Sequence, residues 1–214
     1  MTASLVIAVD GPAASGKGTV AAWLGKAYGL PVLDTGLLYR AVGVAASRAG
    51  SDPDDPEAAA AVAGKIDLLA LDDPAFRTRA AGELASRVAV HPGVRQALNA
   101  AQVGFARRPG GAVLDGRDIG TVIAPWAPAK LFVTARPEVR AERRWRQLAA
   151  QGETVPFEEV LADIRRRDAR DGGRADAPLA RAPDAVLLDT TEMTIDLATD
   201  AARRIVEAAR VGRE

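Results

Sequence analysis

The chain contains no cysteine. That excludes a disulfide framework and any thiolate metal site. It has one histidine, His91, so a multi-histidine metal centre cannot form within a single chain. Aromatic residues are scarce, at 4%. Net charge is also lacking: 28 basic residues balance 28 acidic ones. A balanced charge gives no global attraction to nucleic acid or to an anionic membrane, and neither partner is expected. No apolar run approaches the ~18 residues that span a bilayer. The stretch from Met1 to Val9 lacks the basic start and long apolar segment of a signal peptide. A soluble cytoplasmic protein is the expectation.

Among the 28 basic residues only Lys17, Lys26, Lys65 and Lys130 are lysines. Base composition of the genome explains most of that bias. The guanidinium is nevertheless the better fork for phosphate oxygens. The 214 residues suffice for one large domain with small appendages.

Short apolar runs recur at Leu5 to Val9, Val32-Leu33, Ala112 to Leu114, Lys130 to Thr134 and Ala185 to Leu188. They read as buried strands. Helical patterns cover Lys17 to Tyr28, Gly36 to Arg48 (with Thr35 as N-cap), Glu57 to Ala70, Arg77 to Val90 and Val94 to Arg107. Three more follow, at Pro137 to Ala150, Phe157 to Ala169 and Ile195 to Arg210. Strands alternating with helices predict an α/β fold, a parallel sheet covered on both faces. The helical block from 57 to 107 is too long for one crossover and predicts a side lobe. The polar, arginine-rich stretch 152–178 has the character of a mobile lid.

The first strand runs into Gly11-Pro12-Ala13-Ala14-Ser15-Gly16-Lys17-Gly18-Thr19 and then a helix. Strand, glycine loop and helix in this order form a phosphate cradle. Glycines let backbone amides approach phosphate oxygens, and the helix N-terminus adds partial positive charge. Lys17 supplies a point charge for the outer phosphates. The hydroxyl residue that should follow the lysine directly is displaced by Gly18. Thr19 is therefore a candidate magnesium ligand only at one remove. No Asn-Lys-x-Asp guanine-reading string occurs.

Two further strings lie at predicted strand ends, where α/β sheets bind ligands. One is Asp34-Thr35-Gly36-Leu37-Leu38-Tyr39-Arg40; the other is Asp115-Gly116-Arg117-Asp118-Ile119-Gly120-Thr121-Val122. A third, Arg167-Asp168 with Asp171 and Arg174, precedes Ala177-Pro178-Leu179. Together with the glycine loop, these strings resemble the bacterial cytidylate kinases, within the nucleoside monophosphate kinase group. The resemblance runs from about residue 5 to about 209.

It implies a three-layer P-loop NTPase fold with a five-stranded parallel sheet, a helical acceptor-binding lobe and a mobile lid. The core would be about 1–50 and 108–214, the lobe about 51–107, the lid about 152–178. The implied reaction is ATP-dependent phosphorylation of CMP and dCMP, with Mg2+ carried by ATP and water. Thr35, Tyr39, Arg40 and Arg117 would line the acceptor sugar-phosphate site. Ser86, Arg95 and Asp118 would read cytosine, while Arg167 and Asp171 would touch the sugar hydroxyls. Arg174 would reach phosphate on lid closure. Lys17, Arg117, Arg167 and Arg174 would carry the transfer itself. A monomer is expected.

Some members carry a longer strand-rich insert where this chain has only Leu68 to Phe76. Asp168 and Asp171 are candidates to hold the lid arginines. Arg140, Arg143 and Arg144 read as a solvated charged face. Asp189-Thr190-Thr191 is placed near the donor adenine. Two rivals share the glycine loop: a kinase for another small acceptor, such as a different nucleotide or shikimate, and a nucleotide-dependent switch without transferase activity.

Overall fold

The computed structural model describes residues 4–66 and 71–211. Five parallel strands form one sheet in the order β2-β3-β1-β4-β5. They are β1 (Leu5–Asp10), β2 (Val32–Asp34), β3 (Gly111–Gly116), β4 (Ala129–Thr134) and β5 (Val186–Asp189). The three central strands are largely apolar because both faces are covered, with buried Lys130 of β4 an exception that pairs with Asp184.

On one face α1 (Lys17–Tyr28) and α8 (Ile195–Val211) bury Val20, Leu24, Ala202 and Val206 against Ile7, Val9 and Leu131. On the other, Val6, Ala8, Ala112 and Leu114 meet Ala106 and Ile119. A second core joins α2 (Thr35–Arg48), α3 (Pro56–Ala63), α4 (Arg79–Val88) and α5 (Pro92–Ala106) through Leu38, Val42, Ala59, Val88 and Leu98. The third packs α6 (Pro137–Ala150) and α7 (Phe157–Gly172) onto Ala13 of the glycine loop.

Several boundaries differ from the sequence reading. Asp34, not Thr35, caps α2, its carboxylate accepting from the Gly36 amide at 2.9 Å. Helix α3 stops at Ala63 because Gly64 follows; residues 67–70 of the expected longer helix lie outside the described residues. The short Leu68–Phe76 connection is described only from Leu71 onward. There a 3₁₀ turn, Pro74–Arg77, replaces the expected helix start, and Thr78 caps α4 through the Ala81 amide at 3.1 Å. Helix α7 runs past Ala169 and keeps Arg170 and Asp171 helical. A π-type turn at Ile119–Ile123, which no periodicity announces, follows Asp118.

Helices α2 and α4 approach closely at Gly43. A methyl there would lie 2.7 Å from Leu84 Cβ and 2.9 Å from its carbonyl carbon. Gly43→Ala is expected to lose ~1–3 kcal/mol by overpacking, read from the urea midpoint. An unchanged midpoint would contradict this packing.

Candidate active site

The site lies at the carboxyl ends of β1, β2 and β3. Register sets Asp34 beside Asp115, and Asp10 beside Gly116. The glycine loop leaves directly from Asp10. Gly11 has φ +151°, and a Cβ on it would fall 2.0 Å from the Val133 carbonyl oxygen. Gly16, at φ +91°, precedes α1 with no side-chain cap. The first-turn amides of α1 are therefore available to an anion.

Lys17 Nζ lies 3.3 Å from Asp115 Oδ1. Burial and then the Arg117 guanidinium push Lys17 down, while Asp115 and Asp34 pull it up. Burial pushes the Asp115 carboxyl up, against Lys17. Pushing both groups toward neutrality marks a dry pair that gains from added charged partners.

A cavity of about 750 Å3 opens over the loop, lined by Gly16, Lys17, Gly18, Thr19, Arg40 and Arg167 among others. Behind it, a much smaller cavity of about 40 Å3 gathers Thr35, Tyr39, Ser86, Arg95, Arg117, Asp118, Arg167, Asp171 and Arg174. Arg167 lines both. Every residue expected on the acceptor side thus lines the small cavity, except Arg40. Arg40 faces the larger cavity and donates to the Phe76 and Thr78 carbonyls at 2.9 and 3.2 Å.

The small cavity is filled by paired side chains. Arg95 donates to Asp118, and its guanidinium stacks 5.8 Å from the Tyr39 ring centroid. Arg117 donates to Asp171 at 3.0 Å, and Arg167 lies 3.9 Å from the same carboxylate. Among the described residues, buried Ser86 Oγ and Arg174 Nε and Nη2 have no hydrogen-bond partner. Burial and then Arg117 push Arg167 down to about 10. Burial also pushes Arg40 and Arg174 down. Burial would raise the Asp171 carboxyl, yet Arg117, Arg167 and Arg174 hold it below the usual range. A cleft with this balance favours anionic groups.

Of the lid arginines, only Arg167 lies within ion-pair reach of Asp171, whose hydrogen bond goes instead to Arg117; Arg170 pairs with Glu83 at 2.9 Å, and Asp168 holds none of them. It forks with Arg140 at 3.0 and 2.6 Å. Arg140 is no solvated residue: it is 3% exposed, and it also donates to the Ala135 and Ala13 carbonyls at 2.8 and 3.3 Å. Arg143 likewise donates to Thr190 Oγ1 and O at 2.9 and 2.6 Å and to Ser15 O at 3.4 Å. Thr190 Oγ1 donates to Ser15 O at 2.9 Å. These residues form the underside of the glycine loop. The one signal for them in the sequence is their place just past the ends of β4 and β5. Asp10, which opens the glycine-loop string that carries the resemblance, has no role in the sequence reading; its two carboxylate oxygens accept from the Ile119 and Gly120 amides at 2.8 and 2.7 Å. Burial pushes it up to about 7, against those two amides.

His91 sits at the start of α5, away from the cavities, its ring nitrogen 2.9 Å from the Pro53 carbonyl. Among the described residues no helix is long and apolar enough to cross a membrane.

The cytidylate kinase family model matches residues 7–209. A cytidylate kinase from Caulobacter vibrioides is 72% identical over 96% of this chain and 96% of its own. Cytidylate kinases from Xanthobacter autotrophicus (98% of this chain, 100% of its own) and Brucella suis (98% and 95%) are 60% and 52% identical. An uncharacterized protein of known structure from Eubacterium ventriosum shares the fold, with a TM-score of 0.55 at 14% identity over 96% of this chain and 99% of its own. With the phosphate loop, the acceptor-side strings and the match spanning nearly the whole chain, this protein belongs to the cytidylate kinase family.

Proposed function

We propose that the chain transfers the terminal phosphoryl group of ATP to CMP and dCMP, giving CDP and dCDP. The observation that carries this reading is the small cavity, where Ser86, Arg95 and Asp118 converge with Arg117, Arg167, Asp171 and Arg174. Donor phosphates lie over residues 11–19, with Lys17 on the outer ones. The acceptor phosphate meets Arg40, Arg117 and Arg167, where the two cavities adjoin. Cytosine's exocyclic amine donates to Asp118, while uracil presents a carbonyl there. Thr35 and Tyr39 line the sugar-phosphate path, Arg167 and Asp171 take the sugar hydroxyls, and Arg174 reaches phosphate on closure.

The acceptor phosphate is already anionic, so no general base is required. The enzyme's task is alignment and neutralisation of charge. A cavity of about 40 Å3 is far below the ~300 Å3 of ordinary ligand clefts. Admitting a nucleotide requires the Arg95–Asp118 and Arg117–Asp171 pairs to part. Movement of the 152–178 lid and the 51–107 lobe against the core supplies that opening.

Magnesium fits the donor set. Among the described residues the buried Asp115 Oδ1 has only the Lys17 ammonium beside it, at 3.3 Å, and exposed Thr19 lies along the same wall. Among the described residues no group of three His, Cys, Asp or Glu gathers for a metal, so phosphate oxygens and water supply most ligands. When bound, the ion neutralises charge on the donor phosphates. The protein is read as a cytoplasmic monomer.

The test is product stoichiometry. CMP with Mg-ATP should yield CDP and ADP in equal amounts. ADP and inorganic phosphate without CDP would identify a hydrolysing switch instead.

A further inference from the structure

The Asp118 carboxylate can select a base only if its backbone is held at a fixed depth in the cleft. The turn that carries it is anchored by its own backbone bonds and by buried Ile119 and Ile123, but its two leading amides need an outside partner. The π-type turn Ile119–Ile123 opens on Asp118 with φ −142° and no side-chain cap. The Asp118 carbonyl accepts from the Val122 and Ile123 amides at 2.8 and 3.2 Å. The Ile119 and Gly120 amides at the turn's start are the ones a helix-like turn leaves unpaired. Both are taken by the two oxygens of Asp10, across 109 and 110 residues of sequence.

Asp10 is the last residue of β1, 4% exposed, and the phosphate loop begins at the next residue. One carboxylate therefore ties the strand that launches the donor loop to the turn that presents Asp118. We infer that Asp10 is a positioning residue for base selection. It fixes the Asp118 turn, and through it the discrimination between cytosine and uracil. The inference rests on the base-reading role proposed for Asp118.

The chemistry requires a carboxylate. Two adjacent N–H donors need two acceptor oxygens. Asparagine offers one, and turns an NH2 group toward the other amide. A buried amide left unpaired forces the turn to move or bear the loss. The tie can also be stressed from its far side. A methyl on Gly120 would lie 3.3 Å from Asp10 Oδ2, 3.2 Å from Lys130 Cδ and 3.5 Å from Ala182 Cβ. Gly120→Ala therefore crowds the tie at Asp10, and none of the three atoms nearest the added methyl belongs to Ser86, Arg95 or Asp118.

The experiment measures kcat/KM for CMP and for UMP on the same preparation of wild type, D10N, G120A and D118A. The ratio of the two is independent of the active fraction, so a merely structural lesion leaves it unchanged. D118A should collapse the ratio, and D10N should lower it about tenfold, the size of one lost buried hydrogen bond. G120A should lower it in the same direction. A folded D10N with the wild-type ratio, beside a collapsed D118A, overturns the inference and leaves the base reading standing. A wild-type ratio in D118A removes both. Should D10N fail to fold, G120A is judged by the same rule.

Discussion

Lys17→Met is expected to lower kcat by about 10²- to 10³-fold, the usual effect of deleting one preorganised charge at developing negative charge. The side chain is held for this task. It lies beside Asp115 at 3.3 Å, and burial and Arg117 already disfavour its charge. Phosphate oxygens restore what burial removes, so the interaction is strongest when the donor is in place. Methionine keeps the apolar stem and removes only the charge. Steady-state turnover at saturating CMP and Mg-ATP measures the effect, with circular dichroism to establish the fold. Near-normal turnover would contradict the assignment of Lys17 to the transferring phosphate.

Arg140→Met should be the most damaging substitution on α6. The guanidinium spends its donors on Asp168, Ala135 O and Ala13 O, and the site is 3% exposed. Breaking a buried charge pair by removing one partner costs ~3–5 kcal/mol. Asp168 is partly open to solvent, its side chain 28% exposed, so the lower end applies. The loss falls on two places at once: the glycine loop at Ala13, and α7, which carries Arg167 and Asp171. Urea unfolding measures it, and Arg146→Met is the control. Arg146 is exposed and pairs with Glu142 one helical turn away, so its loss should stay below ~0.5 kcal/mol. Equal destabilisation of the two variants would contradict this account of α6.

That contrast marks where the sequence stopped being legible. Arg140, Arg143, Arg144 and Arg146 share one helix and one composition. Nothing in their spacing says that the first two turn under the phosphate loop while the last faces solvent. The distinction depends on β4 and β5 ending beside that loop, a fact of sheet order. The glycine loop was readable because its chemistry is local: strand, positive-φ glycines and helix follow one another within a single segment. Tyr39, Arg40, Arg117 and Asp118 could be placed near the ligand crevice from their strand-end positions, but Ser86, Arg95 and Asp171 were readable only through the family resemblance. Ser86 and Arg95 come from α4 and α5, Asp118 from the turn after β3, Asp171 from α7, and no sequence spacing joins them. Asp10 was hidden for the same reason: a strand-end acid declares its partner only when a turn more than a hundred residues away is laid across it. The Thr35 cap failed for a smaller reason. Asp34 is the better-placed acceptor, and Thr35 instead donates its hydroxyl to the Asp115 carbonyl at 2.8 Å.

The reaction assigned to this cleft is phosphorylation of cytidine monophosphates. An acceptor panel with Mg-ATP tests it most directly, comparing kcat/KM for CMP, dCMP, UMP, AMP, GMP and shikimate on the full chain. CMP and dCMP should be the two best acceptors. UMP should trail by a factor that reflects a mismatched buried polar contact, about tenfold or more. Equal or better turnover of any other acceptor on the panel would contradict it.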